Sequence, residues 1–251
     1  MYREMKKFGF ILLCLLLVGI IGICIYNVTP DVRDSVQSKA ENKRIETIVK
    51  ENTEEEQSFS HAAFDELYAV NSDLVAYLEF DSGIVSLPVV QGYNNDQYLR
   101  QSFEKVYSSQ GVLFMDSEAT LNSQHFTIFG HNVYYDDSAK FSPVSKLVSQ
   151  DFYENNKTFT LYTAQGKRDY LITNVFYFTQ DDFLDYNYTQ PGFHSAEEFK
   201  SWISFGNSRN LIHSEHSIGF SDRFVTLQTC KRWDDQTIIL VLAKETGRSL
   251  Y

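Results

Sequence analysis

The chain has 251 residues, a formal net charge of −11 at pH 7, and 43% hydrophobic residues. That hydrophobic content is enough for a packed core, which excludes a disordered chain. The charged residues form no basic cluster of the kind that neutralises phosphates, which excludes a typical nucleic-acid binder. The 16 Tyr and 20 Phe favour β-strands, because flat side chains pack well on a pleated surface.

The amino-terminal region carries a long uncharged segment. Residues 8–26 are apolar, and at ~1.5 Å per residue they nearly match the ~30 Å hydrocarbon core of a bilayer. Arg3, Lys6 and Lys7 precede the segment, so the positive-inside rule places the amino terminus in the cytoplasm. A cleaved signal peptide is the alternative, but its apolar region is usually shorter and ends in a small-residue cleavage site. We predict a cytoplasmic segment at residues 1–7 and a single-pass anchor at residues 8–26.

The rest of the chain is then extracellular and divides into a stalk and one domain. Residues 27–61 are charged and contain too few apolar residues for a core, so we predict a partly helical extracytoplasmic stalk. Residues 62–251 form the predicted domain. At its start, Phe64 and Leu67 follow helical spacing, which predicts one or two short helices within residues 61–76.

The pattern then changes to short β-branched and aromatic segments broken by Gly, Asn and Asp, which predict strands. Ser195 opens one exception, a segment up to Phe205 that has a serine cap and helical spacing of apolar residues. Many short strands with few helices indicate a mainly β fold, and we predict one closed β-barrel with this helix inserted between late strands. The predicted strands lie within residues 77–80, 84–92, 111–116, 125–131, 158–179, 224–230 and 237–244.

One cysteine stands alone in the predicted extracellular domain. Cys14 and Cys24 lie in the apolar amino-terminal segment, and Cys230 has no partner for a disulfide in the domain. A lone thiol facing an oxidising space is either buried and inert or retained for chemistry.

Strand alternation places Cys230 on a polar face. In the strand at residues 224–230, Val225 and Leu227 point to one side and Gln228 and Cys230 to the other. We expect the strand to end at Cys230 in a charged loop, where neighbouring positive charge lowers a thiol pKa.

A nucleophilic cysteine needs a base, and the chain contains six histidines. His131 is the best candidate, because it follows a predicted strand and a flexible glycine and can project into a cleft. The other histidines are interpreted as surface or capping residues. They are His61, His125, His194, His213 and His216.

The two motifs around these residues resemble those of a known family. TLQTC at residues 226–230 and FGHN at residues 129–132 are similar to the TLxTC and GHN signatures of sortases. The segment at residues 71–99, with its Pro-Val-Val-Gln-Gly run, resembles the first strands of class B sortases. GVLFMD at residues 111–116, the segment at residues 158–170 and the late helix also look like that class. The resemblance covers most of residues 62–244.

The resemblance implies a sortase-type barrel and a two-step acyl transfer. Cys230 would attack the carbonyl of a Thr in a sorting motif of a secreted protein, and an amine of the cell wall or of a pilin would resolve the thioacyl enzyme. His131 would protonate the leaving amine and deprotonate the incoming one. The motif neighbours Gln228, Thr229 and Asn132 would contact the substrate. No metal and no cofactor are implied.

One position departs from the family pattern. Sortases normally place an arginine about eight to ten residues after the cysteine to stabilise the oxyanion, whereas residues 236–240 here are Gln, Thr, Ile, Ile and Leu. Arg232 is the nearest guanidinium, and we predict that it takes this role from a loop. A solvated loop charge is the competing interpretation of Arg232. If no arginine serves, backbone N–H groups near Cys230 would have to stabilise the oxyanion.

Two other functions compete with an active transpeptidase. The missing downstream arginine is also compatible with an inactive sortase fold that only binds peptides. A zinc site formed by Cys230, His131 and either His213 or His216 has weak support, because structural zinc sites usually show close ligand pairs.

Overall fold

The computed structural model describes residues 2–53 and 59–251, without the side chains of residues 2–14, 21, 24–31 and 235. The chain divides into two compact units, Met1–Ala40 and Glu41–Tyr251. The first is helical. The second contains all the strands and every contact discussed below.

Helices and strands follow one another in no regular order along the described part of the chain. The helices are α1 (Tyr2–Glu51), α2 (His61–Val70), α3 (Gln150–Asn155) and α4 (Ala196–Ser208). The strands are β1 (Leu74–Phe80), β2 (Ser86–Val90), β3 (Leu113–Met115), β4 (His125–Phe129), β5 (Thr158–Thr163), β6 (Gly166–Thr179), β7 (Phe224–Lys231) and β8 (Asp234–Leu250). Short 3₁₀ turns lie at Gln97–Leu99, Val144–Val148 and Gln180–Leu184.

The strands close into a barrel in the order β1-β2-β3-β4-β7-β8-β6-β5, which confirms the predicted mainly β barrel. The pairs β2–β3 and β4–β7 are parallel, and the other neighbours are antiparallel. Closure removes the exposed sheet edges that would otherwise invite pairing with other chains.

Alternate side chains fill the barrel, and two apolar clusters cover parts of its outside. Val225 and Leu227 of β7 belong to the interior cluster, as their alternation predicted. On one side α2 packs outside the barrel together with Ile45 and Val49, so residues of the predicted stalk contribute to this core. On the other side α4 covers β6, β7 and β8.

The predicted late helix is confirmed. The Ser195 hydroxyl accepts a hydrogen bond from the backbone N–H of Glu198 and caps α4, and Phe199, Trp202 and Ile203 are buried. This cap satisfies one of the free amides at the helix start.

Of the one or two short helices predicted within residues 61–76, one is present; it ends at Val70 with Asn71 as its C-cap, and β1 begins at Leu74. One predicted boundary was wrong. The expected charged loop after Cys230 is mostly strand, because Lys231 pairs with Asp234 and leaves a two-residue turn.

The predicted membrane anchor has no support from the structure. Several side chains of residues 8–26 lie outside the described part of the chain. Within the described part, no helix has the length and apolar character needed to span a membrane. The anchor and the extracellular location stay predictions.

His125 is fully buried, and its interpretation as a surface or capping residue was wrong. Its Nδ1 lies 2.6 Å from the Gln190 carbonyl and its Nε2 lies 2.8 Å from the Thr226 hydroxyl. A carbonyl only accepts, so Nδ1 carries the proton and Nε2 accepts from Thr226. Burial lowers the pKa of His125 to about 4, so the ring is neutral at pH 7.

We expect His125 to make the protein less stable in mild acid. The unfolded chain binds a proton at this ring below about pH 6.5, while the folded protein binds it only near pH 4. The free energy of unfolding should therefore fall by up to about 3 kcal/mol as the pH drops through this window. Chemical denaturation of His125→Gln should show a shallower pH dependence than the wild type, and an identical slope would contradict this assignment.

Candidate active site

The parallel pair β4–β7 brings the two sequence motifs together. Phe129 pairs with Gln228 in this ladder, and the Gly130 N–H donates to the Gln228 carbonyl at 3.0 Å. His131 and Cys230 each lie two residues beyond the Phe129–Gln228 pair. Adjacent strands are ~4.8 Å apart, so the two motifs lie at the same end of this parallel pair.

Cys230 lies on the outer face of the barrel and is half-buried. It is opposite Ile238 in the β7–β8 hairpin. The Asn132 side-chain amide donates to the Cys230 carbonyl at 2.9 Å. This bond fixes the end of β7 to the segment that carries His131, so the spacing of the two motifs does not depend on the strand ladder alone.

His131 has a defined proton position. Its Nε2 lies 3.0 Å from the Leu99 carbonyl, which can only accept, so Nε2 carries the proton and Nδ1 keeps a lone pair. Burial lowers the pKa of His131, and the positive charges of Arg100 and Lys140 lower it further, against the bond to Leu99. The ring is therefore a neutral base at pH 7.

Gly130 has to be a glycine for steric reasons. A Cβ at this position would lie 2.4 Å from Cδ2 of Phe141 and 2.6 Å from Cδ2 of Leu113, and both side chains are fully buried. Phe141 also donates its backbone N–H to the His131 carbonyl at 3.0 Å. The close approach of Phe141 thus sets the direction in which the chain leaves β4 and presents His131.

An apolar groove includes the residue that lies opposite Cys230 in the β7–β8 hairpin. A cavity of about 530 Å³ is lined by Phe178, Phe183, Leu184 and Ile238, among others, and Ile238 is the residue opposite Cys230. Nearby, burial raises the pKa of Tyr188 to about 12, with further contributions from the charges of Asp116 and Cys230. An extended peptide that passes over Cys230 therefore has an apolar pocket beside it.

The remaining predicted site residues differ in their placement. Gln228 shares the face of Cys230 and is half-buried. Thr229 points into the barrel with Val225 and Leu227, and its hydroxyl has no hydrogen-bond partner among the described residues. Because its side chain faces away from the groove, the predicted substrate contact of Thr229 is not available to its side chain.

Arg232 is engaged by neighbouring residues of the loop after β4. Its guanidinium donates to the Tyr134 carbonyl and to the Asp137 carboxylate. These contacts hold the guanidinium that we expected to stabilise an oxyanion against the loop after β4.

No pattern in the sequence indicated two features of the site. Leu99 contributes a backbone carbonyl, which no side-chain pattern reveals, and it lies far from His131 along the chain. Lys140 is buried beside His131, although lysine is rarely buried. Across the described residues, no group of three or more His, Cys, Asp or Glu side chains is placed to hold a metal ion, so the zinc alternative gains no support.

Comparison with known proteins agrees with this geometry. Residues 78–246 match the family model of the sortase domain. The chain is 27% identical to sortase B of Staphylococcus aureus, over 96% of this chain and 98% of that protein. A solved Staphylococcus aureus sortase B–substrate complex has a TM-score of 0.73 at 23% identity, covering 87% of this chain and 99% of that one. Clostridium perfringens sortase B has a TM-score of 0.67 at 27% identity, covering 73% and 100%.

Gly130→Ala should destabilise the protein by about 1–3 kcal/mol, because the new methyl group overlaps two buried side chains. Gly192→Ala is the matched control, since its added Cβ would lie 3.7 Å from the nearest atoms, both in the Gln124 side chain, which is ordinary contact. Chemical denaturation compares the two variants. Equal stability of both would show that the approach of Phe141 to Gly130 is looser than described.

Proposed function

Because the chain belongs to the sortase family and is a class B-like cysteine transpeptidase, we propose that it processes secreted proteins that bear a sorting motif. It cleaves the motif after a Thr and transfers the acyl group from Cys230 to an amine of the cell wall or of a pilin. The observation that supports this proposal is the parallel pairing of β4 with β7, because the motifs that contain His131 and Cys230 follow the same end of this pair.

The first step forms a thioester. Nδ1 of neutral His131 takes the proton of the Cys230 thiol, and the sulfur attacks the Thr carbonyl carbon. The tetrahedral intermediate collapses as His131 returns the proton to the departing amine, and the C–N bond breaks. The bond from Nε2 to Leu99 keeps the ring in the tautomer that this exchange requires, and each such proton transfer contributes ~10²–10⁴-fold to the rate.

The second step releases the enzyme. An acceptor amine enters above the thioester, loses a proton to His131 and attacks the acyl carbon. The C–S bond then breaks, the new amide leaves, and the proton passes back to the Cys230 sulfur. Division into two steps avoids direct attack of one amine on an amide.

The groove suits a motif with an apolar residue before the Thr. Phe183, Leu184 and Ile238 line the pocket, and Ile238 is opposite Cys230 in the β7–β8 hairpin. Class B sortases often favour an Asn-Pro-x-Thr motif, and a proline ring would fill this apolar pocket. We propose a motif of this type for the chain.

Positive charge near His131 comes from segments other than the expected one. Arg100 and Lys140 both act electrostatically on His131, and they belong to the segments before β3 and after β4. We propose that Arg100 and Lys140, together with backbone N–H groups, favour the thiolate and the oxyanion in place of the missing downstream arginine.

We also propose that residues 8–26 anchor the enzyme in the cell membrane with the catalytic domain outside. The uncharged run and the preceding Arg3, Lys6 and Lys7 support this orientation. A chain lacking residues 1–26 should leave the membrane fraction after alkaline washing, while the full chain should remain there. Equal extraction of both would refute the anchor.

A peptide-binding module without catalysis is the second candidate, because the family arginine is absent from residues 236–240. The two functions differ in one covalent species. An active enzyme forms a thioester on Cys230, whereas a binding module forms none with any peptide.

Incubation with Asn-Pro-x-Thr peptides and an amine acceptor should give a transpeptidation product and an acyl adduct on Cys230 detectable by mass spectrometry. Cys230→Ala should abolish both, because the nucleophile is removed. His131→Asn should reduce product formation by ~10²-fold or more, since the acid/base group is lost. Full cleavage by Cys230→Ala would refute the mechanism.

Arg100→Gln should lower the rate of acylation several-fold and raise the pKa of His131, because a nearby positive charge is removed. Arg232→Gln should retain most of the wild-type rate, because that guanidinium is bound to Tyr134 and Asp137. Single-turnover kinetics and an NMR titration of His131 measure the two effects. A larger loss of acylation rate in Arg232→Gln than in Arg100→Gln would instead assign the stabilisation of the oxyanion to Arg232.

A further inference from the structure

A second cavity opens at the end of the barrel away from Cys230. Its volume is about 310 Å³. Arg168 lines it and pairs with Arg248 across β6 and β8, while Cys230 is opposite Ile238 near the start of β8. At ~3.3 Å per residue, the stretch of β8 from Ile238 to Arg248 places the cavity on the order of 30 Å from the thiol.

The cavity combines an apolar wall with a few polar groups. Aromatic and aliphatic side chains form most of its lining, and amide and hydroxyl side chains are at its edge. This composition is typical of small-molecule pockets, in which a few polar groups orient an apolar ligand. The apolar lining includes Phe64, Tyr68, Leu74, Val75, Met115 and Leu121.

Arg168 is the charged group of this cavity, and it is 3% exposed. Its guanidinium donates to two neutral oxygens, the Leu121 carbonyl and Oδ1 of Asn122, and a bond with the Tyr170 hydroxyl acts on it as well. Within the described part of the chain, no carboxylate is close enough to form an ion pair with it. The adjacent carboxylate of Glu245 acts on Arg168 electrostatically without contacting it. It accepts hydrogen bonds from Nε and Nη2 of Arg248 at 3.0 Å and from the Tyr170 hydroxyl at 3.3 Å.

This arrangement leaves one buried positive charge without an anion in contact. Burying such a charge is costly unless an opposite charge or further hydrogen bonds compensate it. A guanidinium has five N–H donors, and three neighbouring oxygens leave some of them for a ligand. A carboxylate matches the planar fork of these donors and makes short, charge-assisted bonds to it.

We propose that this cavity is a binding site for a carboxylate that carries an apolar group, with Arg168 as its cationic partner. The apolar group lies against the wall formed by α2 and the start of β1. The carboxylate belongs either to a free organic acid or to the carboxyl terminus of a peptide, and both present the same chemistry to Arg168.

Isothermal titration calorimetry of the full-length protein tests the site with hydrocinnamate and its uncharged amide. We expect the acid to bind about tenfold or more tightly than the amide, because only the acid makes charge-assisted bonds. N-acetyl-alanyl-phenylalanine, with a free or an amidated carboxyl terminus, supplies the peptide arm. Tighter binding of hydrocinnamate indicates a free organic acid as the ligand, and tighter binding of the peptide with a free carboxyl terminus indicates a peptide. Failure of all four ligands to bind overturns the proposal.

Three variants separate ligand binding from a purely structural role of Arg168. Arg168→Gln should lose the preference for the acid, while Arg223→Gln should keep it. Arg223 is a matched control because it also donates to the loop at residues 122–123 but is exposed and does not line the cavity. Unchanged acid binding by folded Arg168→Gln overturns the proposal.

Val75→Phe covers the case in which Arg168→Gln does not fold. Val75 lines the cavity and is only partly buried, so a larger side chain narrows the space while Arg168 remains. Affinity for hydrocinnamate should fall about tenfold or more, as expected when a ligand is excluded from its pocket. Wild-type affinity in this variant overturns the proposal, and catalysis at Cys230 should be unchanged.

Discussion

The parallel pairing of β4 with β7 is the constraint on which the site depends. The cysteine and histidine motifs lie about a hundred residues apart in the chain, and this ladder brings them together, with the Asn132–Cys230 hydrogen bond at its end. Parallel neighbours need a long crossover connection, and here it contains α4 and the strands β5 and β6. The barrel thus supports the two motifs on adjacent strands, with Cys230 within β7 and His131 two residues beyond the end of β4.

The surroundings of this ladder determine what the two groups can do. Close packing of Phe141 on Gly130 sets the path of the chain after β4, and the Leu99 carbonyl fixes the proton of His131 on Nε2. Burial and neighbouring positive charge keep the ring neutral at pH 7. A neutral imidazole with a free Nδ1 is the form needed to accept a proton from a thiol.

The sequence predicted those parts of the fold that depend on local pattern. Alternation in β7 assigned Val225 and Leu227 to the interior, and the cap at Ser195 marked α4. Contacts between distant segments left no local pattern in the sequence from which they could be predicted. The burial of His125 depends on Gln190 and Thr226, and the position of Arg232 depends on Tyr134 and Asp137.

The candidate site was predictable to the same extent. The motifs identified Cys230 and His131, whose catalytic roles stay predictions, and the β4–β7 pairing places the two motifs at the same end of these strands. The assignment of Thr229 to the substrate did not allow for alternation, which turns each second residue of β7 inward. The contributions of Leu99, Arg100 and Lys140 arise from loops whose course only the folded chain defines.

A disulfide between residues 131 and 230 tests the central claim most directly. Neighbouring strand positions have Cα separations that a disulfide can span, so His131→Cys should form a bond with Cys230 under mild oxidation. Peptide mapping should recover the two joined segments, while His125→Cys, opposite Phe224 at the far end of β4, should give none. Free, fully alkylated thiols in oxidised His131→Cys would contradict the alignment of the two motifs.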